Sequence, residues 1–190
     1  MFEYLGTILV DIDPGFDVLR YLTVRTIGGT ITALLLTIFL GPKLISWLQR
    51  MQFKQYGVER GPDSHKQKSG TPTMGGLLII SSLLISTLLW ADLGNRYIWV
   101  CLFITSGFTI IGFLDDFYKI KYKDSKGISG RLKLLSQTIV SIIAVSFLYF
   151  SAEDSAEISL ILLFNKDWIF EMSMLPFILF GSFVIVGSSN

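Results

Sequence analysis

The chain has 190 residues, of which 51% are hydrophobic and 16% are charged, and its mean hydropathy is +0.58. Soluble domains carry about 25% charged residues, so the composition excludes an ordinary soluble domain as well as a disordered or fibrous protein. The single cysteine, Cys101, excludes an intramolecular disulfide and a cysteine metal cluster. The single histidine, His65, excludes a multi-histidine site built from this chain alone.

The amino-terminal segment, MFEYLGTILVDIDPGF, contains three acids, is followed directly by Asp17, and has no early positive charge. A cleavable signal peptide begins with a positively charged region, so we expect none here and predict a short interfacial segment instead.

Five apolar stretches follow, each close to the length of about 20 residues that a membrane-spanning helix needs. They cover roughly residues 21–48, 72–90, 97–114, 132–150 and 174–190. We therefore predict the all-α class, as a single polytopic membrane domain with about five transmembrane helices.

Most basic residues gather in or beside two loops, predicted at about 49–71 and 115–131. They are Lys43, Arg50, Lys54, Arg60, Lys66 and Lys68 at the first loop, and Lys119, Lys121, Lys123, Lys126, Arg131 and Lys133 at the second. Most acids lie in the segments on the other side of the membrane. Cytoplasmic loops are enriched in Lys and Arg, so we predict both basic loops in the cytoplasm and the amino terminus outside.

Two adjacent acids, Asp115 and Asp116, follow the third span at its predicted cytoplasmic end. The carboxyl end of a helix disfavours negative charge, and the two carboxylates repel each other, so a positive group should compensate. Lys119 is one candidate, three or four positions on. A Mg²⁺ ion held by the carboxylates and by substrate phosphates is another. The alternative is an ordinary helix end in which both acids are solvated.

The second span begins on the same predicted side. Thr71 is a suitable N-cap residue for this helix, and Pro72 is suited to its first turn. Gly75 and Gly76 have no side chains that would block access to the unpaired backbone N–H groups of the first turn. Such an end can bind an anion, although small residues also serve close helix packing. A phosphate–Mg²⁺ site would account for this helix end, the acidic pair and the basic loops together.

Three motifs resemble one known family. Residues 65–76, HKQKSGTPTMGG, resemble the start of the second helix of the phospho-N-acetylmuramoyl-pentapeptide transferases, and residues 114–119, LDDFYK, resemble their DDxxK motif. Residues 126–128 with Arg131 and Lys133 are similar to the loop that follows. The TPTMGG segment distinguishes this family from relatives that use other UDP-sugars.

The resemblance implies transfer of phospho-MurNAc-pentapeptide from its UDP carrier to undecaprenyl phosphate, which gives lipid I and UMP in peptidoglycan synthesis. It implies Mg²⁺ as cofactor and a multi-pass location in the bacterial inner membrane. Asp115 and Asp116 would serve the metal, or one of them would take the proton from the lipid phosphate. The substrate-binding residues implied are Lys68, Thr73, Lys119, Lys133 and His65. Beyond the two substrates we expect membrane lipids as partners and no nucleic acid, and Gly and Ser faces would suit a homodimer.

Family members have about ten helices, so the chain resembles their amino-terminal half, and we expect it to insert into the membrane without making lipid I by itself. Two alternatives are a related UDP-sugar:undecaprenyl-phosphate sugar-1-phosphate transferase and a non-catalytic membrane fragment.

The charge asymmetry predicts which loops an impermeant thiol reagent reaches in intact cells. In a Cys101→Ser background, Gly94→Cys should be labelled and Ser64→Cys should be labelled only after the membrane is permeabilised. Labelling of position 64 in intact cells would contradict the predicted orientation.

Overall fold

The computed structural model describes residues 2–50, 75–122, 127–152, 159–161 and 169–189, and these are predominantly helical. The helices are α1 (Phe2–Leu9), a 3-10 helix (Pro14–Arg20), α2 (Leu22–Arg50), α3 (Gly75–Trp90), α4 (Arg96–Tyr122), α5 (Gly130–Phe150) and α6 (Met174–Ser189). Two short strands, β1 (Ser159–Ile161) and β2 (Ile169–Glu171), lie between α5 and α6. The chain divides into two compact units, residues 1–98 with 112–128 and residues 99–111 with 129–190, which we describe separately.

Within the described ranges, three helices are long and apolar enough to cross a membrane: Leu22–Ser46 within α2, Arg96–Lys119 within α4, and α5. Helices α3 and α6 are apolar but shorter. The predicted class, an all-α polytopic membrane protein, is confirmed. The strands add one antiparallel pairing, Ser159 with Glu171 through Ile161 with Ile169, which the sequence analysis did not predict.

Burial in this chain differs from that of a soluble protein, because serines share the interior with a few aliphatic side chains while many large apolar side chains are exposed. Side chains buried inside the described part include the hydroxyls of Ser82, Ser86, Ser141 and Ser182, whereas large apolar side chains such as Leu179 and Phe183 face outward. Outward apolar side chains are stable in lipid, and small residues at the interior let helices approach closely.

Local capping accounts for several helix ends. Asp13 Oδ1 accepts a hydrogen bond from the Gly15 amide at 2.8 Å, and Pro14 occupies the first position of the 3-10 helix. Asn95 Oδ1 accepts from the Tyr97 amide at 2.9 Å at the start of α4. Ser129 Oγ accepts from the Leu132 amide at 3.4 Å at the start of α5. Each side chain satisfies an amide that has no partner within its own helix.

In the first unit, α2 packs against α3 through two glycines. Ser86 Oγ donates to the carbonyl of Gly29, and Trp90 Nε1 donates to Thr32 Oγ1 at 2.9 Å. The Trp90 ring lies directly over Gly28, where a Cβ atom would come within 2.5 Å of a ring carbon. The absence of a side chain at Gly28 therefore allows the Trp90 indole to pack between the two helices.

In the second unit, α5 packs against α6, again at a glycine. A Cβ atom on Gly181 would lie 2.9 Å from Val145 Cγ1. In the same unit, a Cβ on Gly107 of α4 would lie 2.8 Å from Val140 Cγ1 of α5. Close contact at small residues is how helices associate where lipid removes the hydrophobic driving force.

Helix α4 differs from the sequence prediction at its carboxyl end. The third span was predicted to end at Leu114, but α4 continues through Asp115, Asp116 and Lys119 to Tyr122. Basic residues near a helix carboxyl end and acid–lysine pairs three and four positions apart both stabilise such an extension once the helix leaves the membrane.

The contact between Gly28 and Trp90 predicts a selective loss of stability. Gly28→Ala should destabilise the fold by about 1–3 kcal/mol, because the added methyl group overlaps a large ring that neighbouring contacts hold in place. Thermal unfolding in detergent micelles, followed by circular dichroism, measures the change.

Gly112→Ala is the matched control, because a Cβ at this helical glycine meets nothing within 4 Å. Alanine in open helical positions is favourable by about 0.5–1 kcal/mol, so this variant should unfold at or above the wild-type temperature. Equal unfolding temperatures for the two variants would contradict the packing argument.

Candidate active site at the end of helix α4

The length of α4 brings its acidic pair to a membrane surface. The helix begins at Arg96 and has 27 residues. At about 1.5 Å per residue, Asp115 lies roughly 29 Å along the axis from Arg96, which is close to the thickness of the hydrocarbon core. The two acids therefore lie where the helix emerges from the apolar layer.

Lys119 joins the two carboxylates. Its Nζ atom lies 2.6 Å from Asp115 Oδ2 and 3.3 Å from Asp116 Oδ1. Lys119, one of the two compensating cations considered from the sequence, therefore pairs with both acids. The expected repulsion from the helix carboxyl end needs correction, because α4 continues more than one turn beyond the pair and the dipole effect is confined to the last turn.

The two acids are not equivalent. The Asp115 side chain is only 14% exposed, and its Oδ1 accepts a hydrogen bond from the amide of Ile128 at 2.8 Å. The Asp116 side chain is 40% exposed. Neighbouring residues on a helix point about 100° apart, which accounts for these different surroundings.

Gly127 brings the following segment close to Asp115. Its φ angle is +61°, in the left-handed region that favours glycine. A Cβ atom there would overlap Asp115 Oδ1, and it would lie 2.7 Å from Lys119 Cε. The turn at residues 127 and 128 thus touches both members of the ion pair.

The acidic pair has the donor chemistry that suits Mg²⁺. Carboxylate oxygens are hard ligands, and Mg²⁺ commonly uses one or two of them together with phosphate oxygens and water. Among the described residues, no three His, Cys, Asp or Glu side chains form a cluster that could hold a metal. In this part of the chain, Asp115 and Asp116 would supply two of the oxygen ligands that such an ion needs.

Four other site residues were predicted from the sequence. His65, Lys68 and Thr73 are outside the described residues. Lys133 lies in the first turns of α5, where its amide donates to the carbonyl of Ser129 at 3.1 Å, and it belongs to the second unit.

The glycines at the start of α3 bear on the two interpretations of that helix end. A Cβ atom on Gly75 or Gly76 would meet nothing within 4 Å in the described part of the chain. Among the described residues, no close helix contact requires glycine at these two positions. The open backbone is compatible with an anion site, which stays a prediction.

The sequence analysis gave no role to Gly127 or Ile128. A glycine behind a charged run signals a turn, but nothing in the sequence indicates that this turn folds back onto Asp115.

Comparison with protein families gives a match at residues 68–80, which include the first residues of α3. Residues 68–80 match the family model for phospho-N-acetylmuramoyl-pentapeptide-transferase signature 1. The match includes Lys68, Thr73, Gly75 and Gly76, and its last residues form the first turns of α3. The chain therefore carries a signature of the phospho-N-acetylmuramoyl-pentapeptide transferases, which confirms the resemblance drawn from its sequence.

Proposed function

We propose that this chain forms part of a phospho-N-acetylmuramoyl-pentapeptide transferase that converts UDP-MurNAc-pentapeptide and undecaprenyl phosphate into lipid I and UMP. The observation that carries the proposal is the signature match at residues 68–80. The inner membrane of a bacterium is the location that this reaction requires, because the acceptor is a lipid.

The chemistry of the reaction fits a site at a membrane surface. An oxygen of the lipid phosphate attacks the phosphorus that carries the sugar, and the bond from that phosphorus to the bridging oxygen breaks as UMP leaves. Phosphoryl transfer depends chiefly on positioning and charge neutralisation. The acidic pair at the end of α4 supports the proposal, because it lies where a soluble donor and a lipid acceptor can both approach.

The proposed roles follow from the surroundings of each residue. Asp115 and Asp116 would hold Mg²⁺, or one of them would accept the proton of the lipid phosphate. Mg²⁺, when bound, would neutralise charge on the diphosphate oxygens. Lys119 keeps the two carboxylates together and would also contact phosphate. Lys68, Thr73, His65 and Lys133 would bind the donor.

The acidic pair predicts a loss of turnover rather than of folding. In the complete protein, Asp115→Asn and Asp116→Asn should each lower kcat by about 10²–10³, the typical effect of removing one charge-stabilising group. UMP release with UDP-MurNAc-pentapeptide, undecaprenyl phosphate and Mg²⁺ measures the rate, and unfolding temperature reports the fold. Near-wild-type turnover in both variants would leave the pair as an ordinary helix end in water.

The donor sugar separates the proposed function from a related transferase. The same assay with UDP-N-acetylglucosamine should give no UMP above background. Preference for that donor would overturn the assignment of the muramoyl substrate while leaving the type of reaction intact.

The signature segment predicts an effect on donor affinity. Lys68→Ala should raise the KM for the uridine donor about tenfold or more, because a hydrogen bond to a charged group contributes about 1.5–3 kcal/mol. Lys54→Ala is the matched control, since it removes a lysine from the same predicted loop outside the signature. Equal KM values in the two variants would mean that Lys68 serves only the charge asymmetry of the loop.

A further inference from the structure

We propose that Gly127 and Ile128 are positioning residues that fix the orientation of the Asp115 carboxylate and of Lys119. The contacts that carry this inference lie in one unit of the structure. The effect that we expect on catalysis rests on the proposed function, whereas the effect that we expect on stability does not.

The Asp115 carboxylate is held through both of its oxygens. The amide of Ile128 donates to Oδ1 at 2.8 Å, and Lys119 Nζ lies 2.6 Å from Oδ2. One donor comes from the following turn and the other from the helix itself. A carboxylate rotates broadly about its last torsion when nothing holds it. The two donors together select one orientation.

Gly127 is required for the turn to come this close. The conformation at φ +61° is one that Asn also adopts with little strain, so it does not by itself demand glycine. The missing Cβ atom does demand it, because a carbon there would overlap Asp115 Oδ1 and approach Lys119 Cε. The conformation of Gly127 and its contact with Asp115 can therefore be separated by the choice of substitution.

Asp116 provides an internal contrast. It is more exposed than Asp115, and its contact with Lys119 is longer, at 3.3 Å. The turn acts on Asp115 and on Lys119, and Asp116 stays accessible from outside. An acidic pair with one fixed and one accessible carboxylate can divide two tasks between chemically identical groups.

The first test is a double-mutant cycle on stability, with unfolding temperature in detergent micelles as the measurement. Gly127→Asn keeps a residue that tolerates the turn conformation but adds the Cβ atom, so it should lower the unfolding temperature by several degrees. In an Asp115→Ala background the same change should cost clearly less, because the overlapped oxygen is gone and only the contact with the flexible Lys119 side chain and the strain of the turn conformation remain. Residues in direct contact show such non-additivity, whereas independent sites do not.

Gly130→Ala is the matched control, since a Cβ at this nearby glycine meets nothing within 4 Å. It should leave the unfolding temperature unchanged in both backgrounds. Equal losses for Gly127→Asn with and without Asp115 would overturn the proposal. Should Gly127→Asn alone fold too poorly to be purified, the double variant Gly127→Asn/Asp115→Ala provides the test. Its recovery at the yield of Asp115→Ala supports the contact. Failure to recover the double variant overturns the proposal.

The second test uses transfer activity of the complete protein. Gly127→Asn should lower kcat by about 10²-fold, the effect expected when a catalytic group shifts by about 1 Å, while the KM for the uridine donor changes little. A turn with only a structural role would leave kcat of the folded variant unchanged, and that result would overturn the positioning role. If the wild-type protein shows no transfer while the stability cycle is non-additive, the proposed function fails and the contact between the turn and Asp115 stands.

Discussion

The absence of water inside a bilayer is the constraint on which the rest of this structure depends. Every backbone N–H and C=O group in the apolar layer needs a partner within the protein, and a helix supplies one locally. The hydroxyl groups of α2 follow the same rule, since Thr26, Thr30, Thr32 and Thr37 each donate to the carbonyl four positions earlier. Charged side chains are then expected near the ends of the apolar segments, and Asp115 and Asp116 follow the apolar stretch of α4 that ends at Leu114.

The same constraint explains why the acidic pair depends on geometry more than on strength. Lys119 and Asp116 are both partly exposed, and ion pairs in such surroundings contribute only about 0–1 kcal/mol. Their value lies in holding two like charges side by side on one helix. A lysine on the same helix and a backbone amide from the next turn achieve this, and each donates to one oxygen of the largely buried Asp115 carboxylate.

The sequence predicted most of the helices, because length and apolarity alone define a membrane-crossing segment. The predicted end of α4 was wrong, because the polar residues after Leu114 resemble a loop. Only the acid–lysine pairs three and four positions apart indicate that the helix continues. The pairing of Lys119 with the acids was one of two predicted solutions. The contact of Ile128 with Asp115 was out of reach, because it depends on how a turn folds back over thirteen positions. The strand pair was missed for a similar reason, since three residues on each side carry too little pattern.

The buried serines and exposed large apolar side chains of the helices also change what counts as a conservative substitution. In a soluble domain, exchanging a large apolar residue does the most damage and exchanging a serine does little. Here Ser82 and Ser141 lie at 1% and 0% exposure, so the space of a single methyl group is limiting at those positions. Leu179 and Phe183 face outward and can exchange with other apolar residues at little expense. Genetic variation in these helices should therefore concentrate at the largest side chains and spare the smallest.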